Sequence, residues 1–292
     1  MLSFKATLLH PIIAKRRLAA LGAVFCVALT CRAWSQAVPR ALRLKSSPGL
    51  SVTDIGVWKT VVQGVEYRRM SLERADPYQA IQLKIVRFDG RWIEPRVVHC
   101  SEYRLKSANV KTLVEKSGAI AMINGNYFDD RGMALGYLKA AAEINSSISK
   151  SPLFTGIFAI KDRLPFIVHR DHFDPQQADQ GLQAGPLLLA KGVGLTVTRG
   201  AEKQFRRSVI GIDAARRFVI AATDNLFGGL TWVELQELFG SPDWRIETFD
   251  LMNLDGGGST QLEIKSPSFE EYVPGAAEVP VAIGFFLKSR RP

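Results

Sequence analysis

The sequence predicts an α+β fold, a single domain of mixed or antiparallel β-sheets with a few helices packed on them. Three observations predict it. Short apolar stretches alternate with polar residues at a period of two, two capped helix signatures stand far apart, and no series of helices alternates with the strands as a doubly wound sheet requires. With 292 residues, 47% of them hydrophobic and 23% charged, the chain can bury a sizeable core and does not read as disordered.

In chain order, residues 1–37 stand apart. They hold Lys5, Lys15, Arg16, Arg17 and Arg32 with no acid, then an apolar run from Leu18 to Thr30, then Ser35-Gln36-Ala37. That is the pattern of a secretory signal cleaved after Ala37, which places the mature protein in the periplasm or outside the cell; the run is short for a membrane span, and an uncleaved anchor is the alternative. Removing five basic residues takes the formal charge from +10 to +5, so no nucleic-acid partner is expected, and any membrane association runs through this segment. Cys26 and Cys31 leave with it, so Cys100 stands alone and no intrachain disulfide forms. No apolar stretch is left over to specify an oligomer.

Residues 38–60, with Pro39, Pro48 and Gly49, read as an extended leader, and the domain is expected over 61–292. Val65 to Arg68 and Ala80 to Val86 alternate as strands, and Asp89-Gly90 turns the chain toward Trp92 to Val98. Ser107 is placed to cap a helix carrying Val110, Leu113 and Val114 on one face, Gly118 stops it, and Ala119 to Ile123 follows as a buried strand ending in Asn124-Gly125-Asn126. Thr155 to Ile160 and Pro165 to His169 form a hairpin, and Gln183 to Leu189 turns into an apolar strand. Phe218 to Thr223 is another strand. Thr231 and Glu234 make a capping box, Gly240 ends that helix, and Ile246 to Leu254 is a strand ending in Asp255-Gly256-Gly257-Gly258-Ser259-Thr260. If the two strands that close these helix-turn-strand units are neighbours, their turns share one rim.

The last turn carries the strongest chemical signal. Three glycines let backbone N–H groups approach an anion, beside an aspartate that is an acceptor or base. The plain alternative is an Asp-Gly hairpin, although two turn residues do not need three glycines. Other residues have ordinary readings too: Arg207 as a solvated charge, Asn124-Gly125 as a simple turn, Asp129-Asp130 as a surface loop, and His169 and His172 as exposed side chains. No metal spacing and no serine-hydrolase partner for Ser259 is visible, so neither metal nor cofactor is expected.

Taken together, Ile123-Asn124-Gly125-Asn126-Tyr127-Phe128, Gln183-Ala184-Gly185-Pro186-Leu187, Arg207 to Gly211, Gly229-Leu230-Thr231 and Asn253 to Ser259 resemble the phosphodiester glycosidase family, to which the animal "uncovering enzyme" belongs. The likeness runs over roughly residues 64–287 in the family's order and departs from it at Asn126, where a second glycine is common. It implies a hydrolase acting on a sugar-1-phosphodiester, such as one of N-acetylglucosamine type, in the envelope or its exopolysaccharide. Under it, Asp255 is the catalytic carboxylate, with Asn124 in the catalytic set beside it; Arg207, Gly125 and the N–H groups of Gly256, Gly257, Gly258 and Ser259 meet phosphate; Asn124 and Gln183 meet the sugar, and Asp224, which ends a strand read as near the same rim, is the spare carboxylate. A non-catalytic binder of phosphorylated or anionic envelope polysaccharide would keep the same pocket. A phosphodiesterase breaking P–O would call for a metal and more clustered acids.

Overall fold

The computed structural model describes residues 42–141, 144–197 and 200–288; the signal-type segment 1–37 lies outside them. Among these residues the fold is predominantly β. The strand pairs are antiparallel throughout, and α-helix is confined to α1, Val110–Ser117, and α2, Trp232–Gly240. The α+β expectation is therefore corrected to a β fold carrying two short helices. Each helix signature was genuine but brief: Gly118 turns left-handed at φ 73° after eight residues, and Ser241-Pro242 stops the other after nine. Helices this short are not stable alone and persist because sheet faces hold them.

Three sheets make up the fold. The large one runs in the order Leu42–Arg43, Leu50–Asp54, Val65–Ala75, Tyr78–Phe88, Phe218–Asp224, Ser208–Asp213, Thr248–Asn253, Leu187–Ala190, Val193–Gly194, with Lys59–Val62 also paired to Val65–Ala75. A second runs Leu164–His169, Gly156–Lys161, Gln180–Ala184, Leu138–Lys139, Ile144–Asn145. A third runs Phe269–Val273, Leu262–Ser266, Ala121–Asn124, Val281–Leu287, Ile93–His99. The stretch expected to lead into the domain belongs to the large sheet from Leu42 onward, because Leu44, Leu50 and Val52 are buried in its core.

All three sheets share one interior. Ile210 and Met252 of the large sheet, Phe158 and Leu182 of the second, and Ile123, Leu262 and Ile283 of the third lie in the same buried cluster. Phe88 stacks on Phe285 across the large and third sheets with ring centroids 4.0 Å apart. At about 1.5–3 kcal/mol for each such side chain removed from water, this shared core, and not the helices, holds the sheets together.

Local chemistry sets the helix starts. Asn109, not Ser107, caps α1: its side chain accepts from the Thr112 N–H at 2.8 Å, while the Ser107 hydroxyl donates to Glu278 at 2.7 Å. The Thr231–Glu234 capping box of α2 forms as read. Cys100 is buried, its thiol donating to the Val279 carbonyl.

Candidate active site

The two glycine-rich turns meet, although their strands lie in different sheets. Ala121–Asn124 belongs to the third sheet and Thr248–Asn253 to the large one, and packing of sheet on sheet brings their ends together. The Asp255 N–H donates to the Gly125 carbonyl at 3.1 Å, and the Asn124 amide donates to the Asp255 carbonyl at 2.7 Å. With both backbone groups held, the Asp255 carboxyl is the part left for chemistry.

Neighbouring residues tighten the same knot. Asn124 Oδ1 accepts from the Ser208 hydroxyl at 2.6 Å and the Gln261 N–H at 3.1 Å. Asn253, fully buried, donates to the carbonyls of Gly185 at 3.0 Å and Leu254 at 2.6 Å and to the Tyr127 hydroxyl at 3.1 Å. The Tyr127 hydroxyl donates to Gly185 O at 2.9 Å, and its ring stacks on Phe154. The glycines serve geometry: a Cβ on Gly256 would press on the Arg206 carbonyl at 2.9 Å, and Gly257 sits at φ 60°.

These residues open onto a cavity of about 650 Å³, within the roughly 300–1,000 Å³ of small-molecule sites. Asp255, Gly256, Gly257, Tyr127, Arg207, Lys203 and His169 contribute to its lining, with apolar walls from Leu153, Leu195, Val197, Phe205 and Trp232. Burial raises the Asp255 carboxyl above the usual aspartate range; the Ser259 hydroxyl and the Gly256 N–H, donating to it, offset only part of that. No cation pairs with it among the described residues.

Arg207 has the complementary oddity. Its guanidinium is buried, donates to the carbonyls of Leu230 at 2.9 Å and Lys203 at 2.6 Å, and lies 4.8 Å from the Trp232 ring centroid. No carboxylate pairs with it among the described residues, and burial lowers its pKa to about 10, which leaves it charged at neutral pH. A buried charge without a counter-ion is costly, and a site that receives an anion is where such a cost is tolerated. The Tyr127 phenol, raised mainly by burial, feels both Asp255 and Arg207.

Several predicted roles are corrected. Asn124 and Gln183 are structural: Gln183 accepts from the N–H groups of Tyr137 and Ser149 and donates to the carbonyls of Ser149 and Phe154, at 2.7–3.1 Å, which leaves nothing for a sugar. It pins the 149–154 segment that walls the cavity. Asp224 lies off the cavity, tied to the buried Lys84 at 2.8 Å, which also grips Glu271 at 2.7 Å. Three of the four N–H groups assigned to phosphate are engaged elsewhere: that of Gly256 goes to the Asp255 carboxylate, that of Gly257 to Arg206 O and that of Ser259 to Gly256 O. Gly125 acts through its carbonyl, packed under Val281. Gly258 lies outside the lining and holds the N–H groups of Ala276 and Ala277.

Other residues belong to the cavity and were not singled out for it. His169, expected at the surface, lines the cavity beside Asp171, with Nδ1 3.4 Å from its carboxylate. Lys203, Tyr127 and Trp232 line it too; Tyr127 lies within a motif and Trp232 directly after one, whereas Lys203 has no sequence signal. Asp129 caps its own turn and pairs with Arg131, and no cluster of three His, Cys, Asp or Glu among the described residues could hold a metal ion.

Known proteins resemble this chain in fold and in family. No curated protein matches the chain by sequence. Among solved structures, a hypothetical protein from Synechocystis is similar over 80% of this chain and 64% of its own, under two thirds of its length, with a TM-score of 0.61 and 14% identity. The zebrafish N-acetylglucosamine-1-phosphodiester α-N-acetylglucosaminidase catalytic domain, auto-inhibited by its pro-peptide, is similar over 85% of this chain and 87% of its own, at a TM-score of 0.57 and 14% identity. A predicted exported protein from Burkholderia pseudomallei is similar over 71% and 74%, at 0.52 and 11%. At these identities the likeness speaks for the fold. A model of the phosphodiester glycosidase family matches residues 117–286, more than half of the sequence, and the chain belongs to that family.

Proposed function

We propose that this cavity hydrolyses a glycosyl phosphodiester, a sugar whose anomeric carbon carries a phosphate ester, and that it does so outside the cytoplasm, on material of the cell envelope or exopolysaccharide. The observation that carries the reading is the presence in one cavity of a carboxyl without a cation, Asp255, and a buried guanidinium without an anion, Arg207. Water attacks the anomeric carbon as the C1–O bond breaks, and the bonding pair leaves on a phosphate monoester. Asp255 receives the proton of the water or stabilises the positive charge at C1, while Arg207 and Lys203 hold the phosphate oxygens. A phosphate monoester is a weakly basic leaving group, so the second, raised-pKa carboxylic acid of ordinary glycosidases is not needed.

N-acetylglucosamine is the first sugar to test, because the zebrafish relative is named for it. Export rests on the signal pattern of residues 1–37; no helix among the described residues is long and apolar enough to cross a membrane. The test is NMR of residues 38–292 with methyl-phospho-α-N-acetylglucosamine in ¹⁸O water, wild type beside Asp255→Asn. Label on the sugar C1 oxygen that disappears in the variant supports the proposal. Label on phosphate means P–O cleavage, and saturable binding without turnover means a polysaccharide binder; either result removes it.

A further inference from the structure

The two most exposed large apolar side chains among the described residues stand together, Leu226 at 89% and Phe227 at 82%. They follow the strand Phe218–Asp224, and the Asn225 amide donates to the Phe227 carbonyl at 2.8 Å, so the pair is displayed on a tight turn. The turn is anchored to the cavity wall. Leu230 and Phe205 exchange backbone hydrogen bonds at 3.0 and 3.4 Å, Gly229 packs against the Phe205 carbonyl, and Gln79 binds both the Gly229 N–H and the Gln204 side chain. Phe205 lines the cavity and is itself 49% exposed, and Tyr78, beside Gln79, is 67% exposed. Apolar side chains thus stand on the inner walls at Leu195, Val197 and Trp232, at Phe205, and on the exposed turn of Leu226 and Phe227, which Gly229 and Leu230 tie to the Phe205 backbone.

A sugar and phosphate do not require this track. Exposed apolar patches mark binding sites when they adjoin a pocket, and here the order of chemistry along the track is specific. The cationic pair Arg207 and Lys203 lies within the cavity, and hydrocarbon-compatible surface lies outward from it. A protein partner would not need the patch to run on into the cavity, whereas one amphiphilic ligand with an anionic head and an apolar tail matches both ends.

We infer that the substrate's second ester is to a lipid or other long-chain alcohol, with the phosphodiester at Arg207 and Lys203 and the hydrocarbon laid over Phe205 onto Leu226 and Phe227. This rests on the proposed phosphodiester chemistry and names the aglycone class. Each methylene removed from water multiplies affinity about fourfold, so three or four of them on the patch give about a hundredfold.

The experiment compares the methyl and dodecyl esters of N-acetylglucosamine α-1-phosphate, below micellar concentrations, for wild type and Leu226→Ser/Phe227→Ser. In parallel, Kd is measured for methyl phosphate and dodecyl phosphate by tryptophan fluorescence. The expected result is a preference of about a hundredfold in kcat/KM for the dodecyl ester, carried by KM, that falls below about fivefold in the variant while methyl-ester kinetics stay unchanged. Equal rates for the two esters, or an equal loss on both in the variant, overturn the inference. If neither ester turns over, the glycosidase reading falls; dodecyl phosphate binding that is preferred and patch-dependent then keeps the apolar track, and binding indifferent to chain length removes it as well.

Discussion

Glu263 offers a stability test that needs no substrate. It lies on the strand Leu262–Ser266, is fully buried, and neither carboxyl oxygen has a hydrogen-bond partner. Burial is the main cause raising its pKa to about 7 from an ordinary 4.5; Lys111 and Lys265 pull it down, and Glu270 and Glu115 push it up. The folded protein therefore holds this proton more tightly than the unfolded chain. The resulting stability is complete below the unfolded value and is lost as pH rises through the folded one. At about 1.4 kcal/mol per pH unit, moving from pH 4.5 to beyond pH 7 removes about 3 kcal/mol. Glu263→Gln keeps the shape and cannot ionise. Urea unfolding of both proteins at pH 5, 6, 7 and 8 should show the wild type losing about 2.5 kcal/mol more than the variant across the series. Any fixed cost of the amide shifts all four points equally, so only the difference in slope counts. Parallel slopes would show that the carboxylate finds water or a cation, and would refute the argument.

Other perturbations act on the site. Asp255→Asn should lower kcat by about a thousandfold or more while leaving ligand affinity within a few-fold, and the wild-type rate should fall on the acid side at a pH above the ordinary aspartate value, as a raised carboxyl protonates; an acid limb at that ordinary value would count against the assigned base. Arg207→Met should abolish phosphate-dependent binding and yet raise the thermal midpoint of the ligand-free protein, because an uncompensated buried charge is replaced by apolar volume; a lower midpoint would mean the two carbonyl hydrogen bonds outweigh the charge. Gln183→Ala should cost about 3 kcal/mol in urea unfolding by breaking four hydrogen bonds, one buried and three part-buried, at about 0.5–1.5 kcal/mol each, and should raise KM as the 149–154 wall shifts.

Position is what could be read for Asp255, Gly256, Gly257 and Arg207: each stands out on a turn or a motif, and each lines the cavity. Asn124 and Gln183 were read in the right places and given the wrong work. An amide looks the same in sequence whether its partners are sugar hydroxyls or backbone groups, and these partners come from as far away as Asp255 and Gln261. Asp224 is a similar case: its partner is Lys84, far off in the chain, which it shares with Glu271. The β-character from Val65 onward showed through strands of eleven residues, long enough for a period of two. Pieces such as Leu42–Arg43 and Leu138–Lys139, two residues each, carry no period, so sheet content was underestimated and the leader misplaced.

The clasp on Asp255 draws on all three sheets at once: Gly125 and Asn124 end a strand of the third, Asn253 ends one of the large sheet, and Gly185 sits where the chain crosses from the second sheet to the large one. No subset of sheets can present that carboxyl. Turnover is thereby a gauge of complete assembly, and a chain with one sheet undocked should be inert rather than sluggish. In a denaturant titration, loss of activity and loss of the shared core should trace a single curve, with no active, partly opened form along the way.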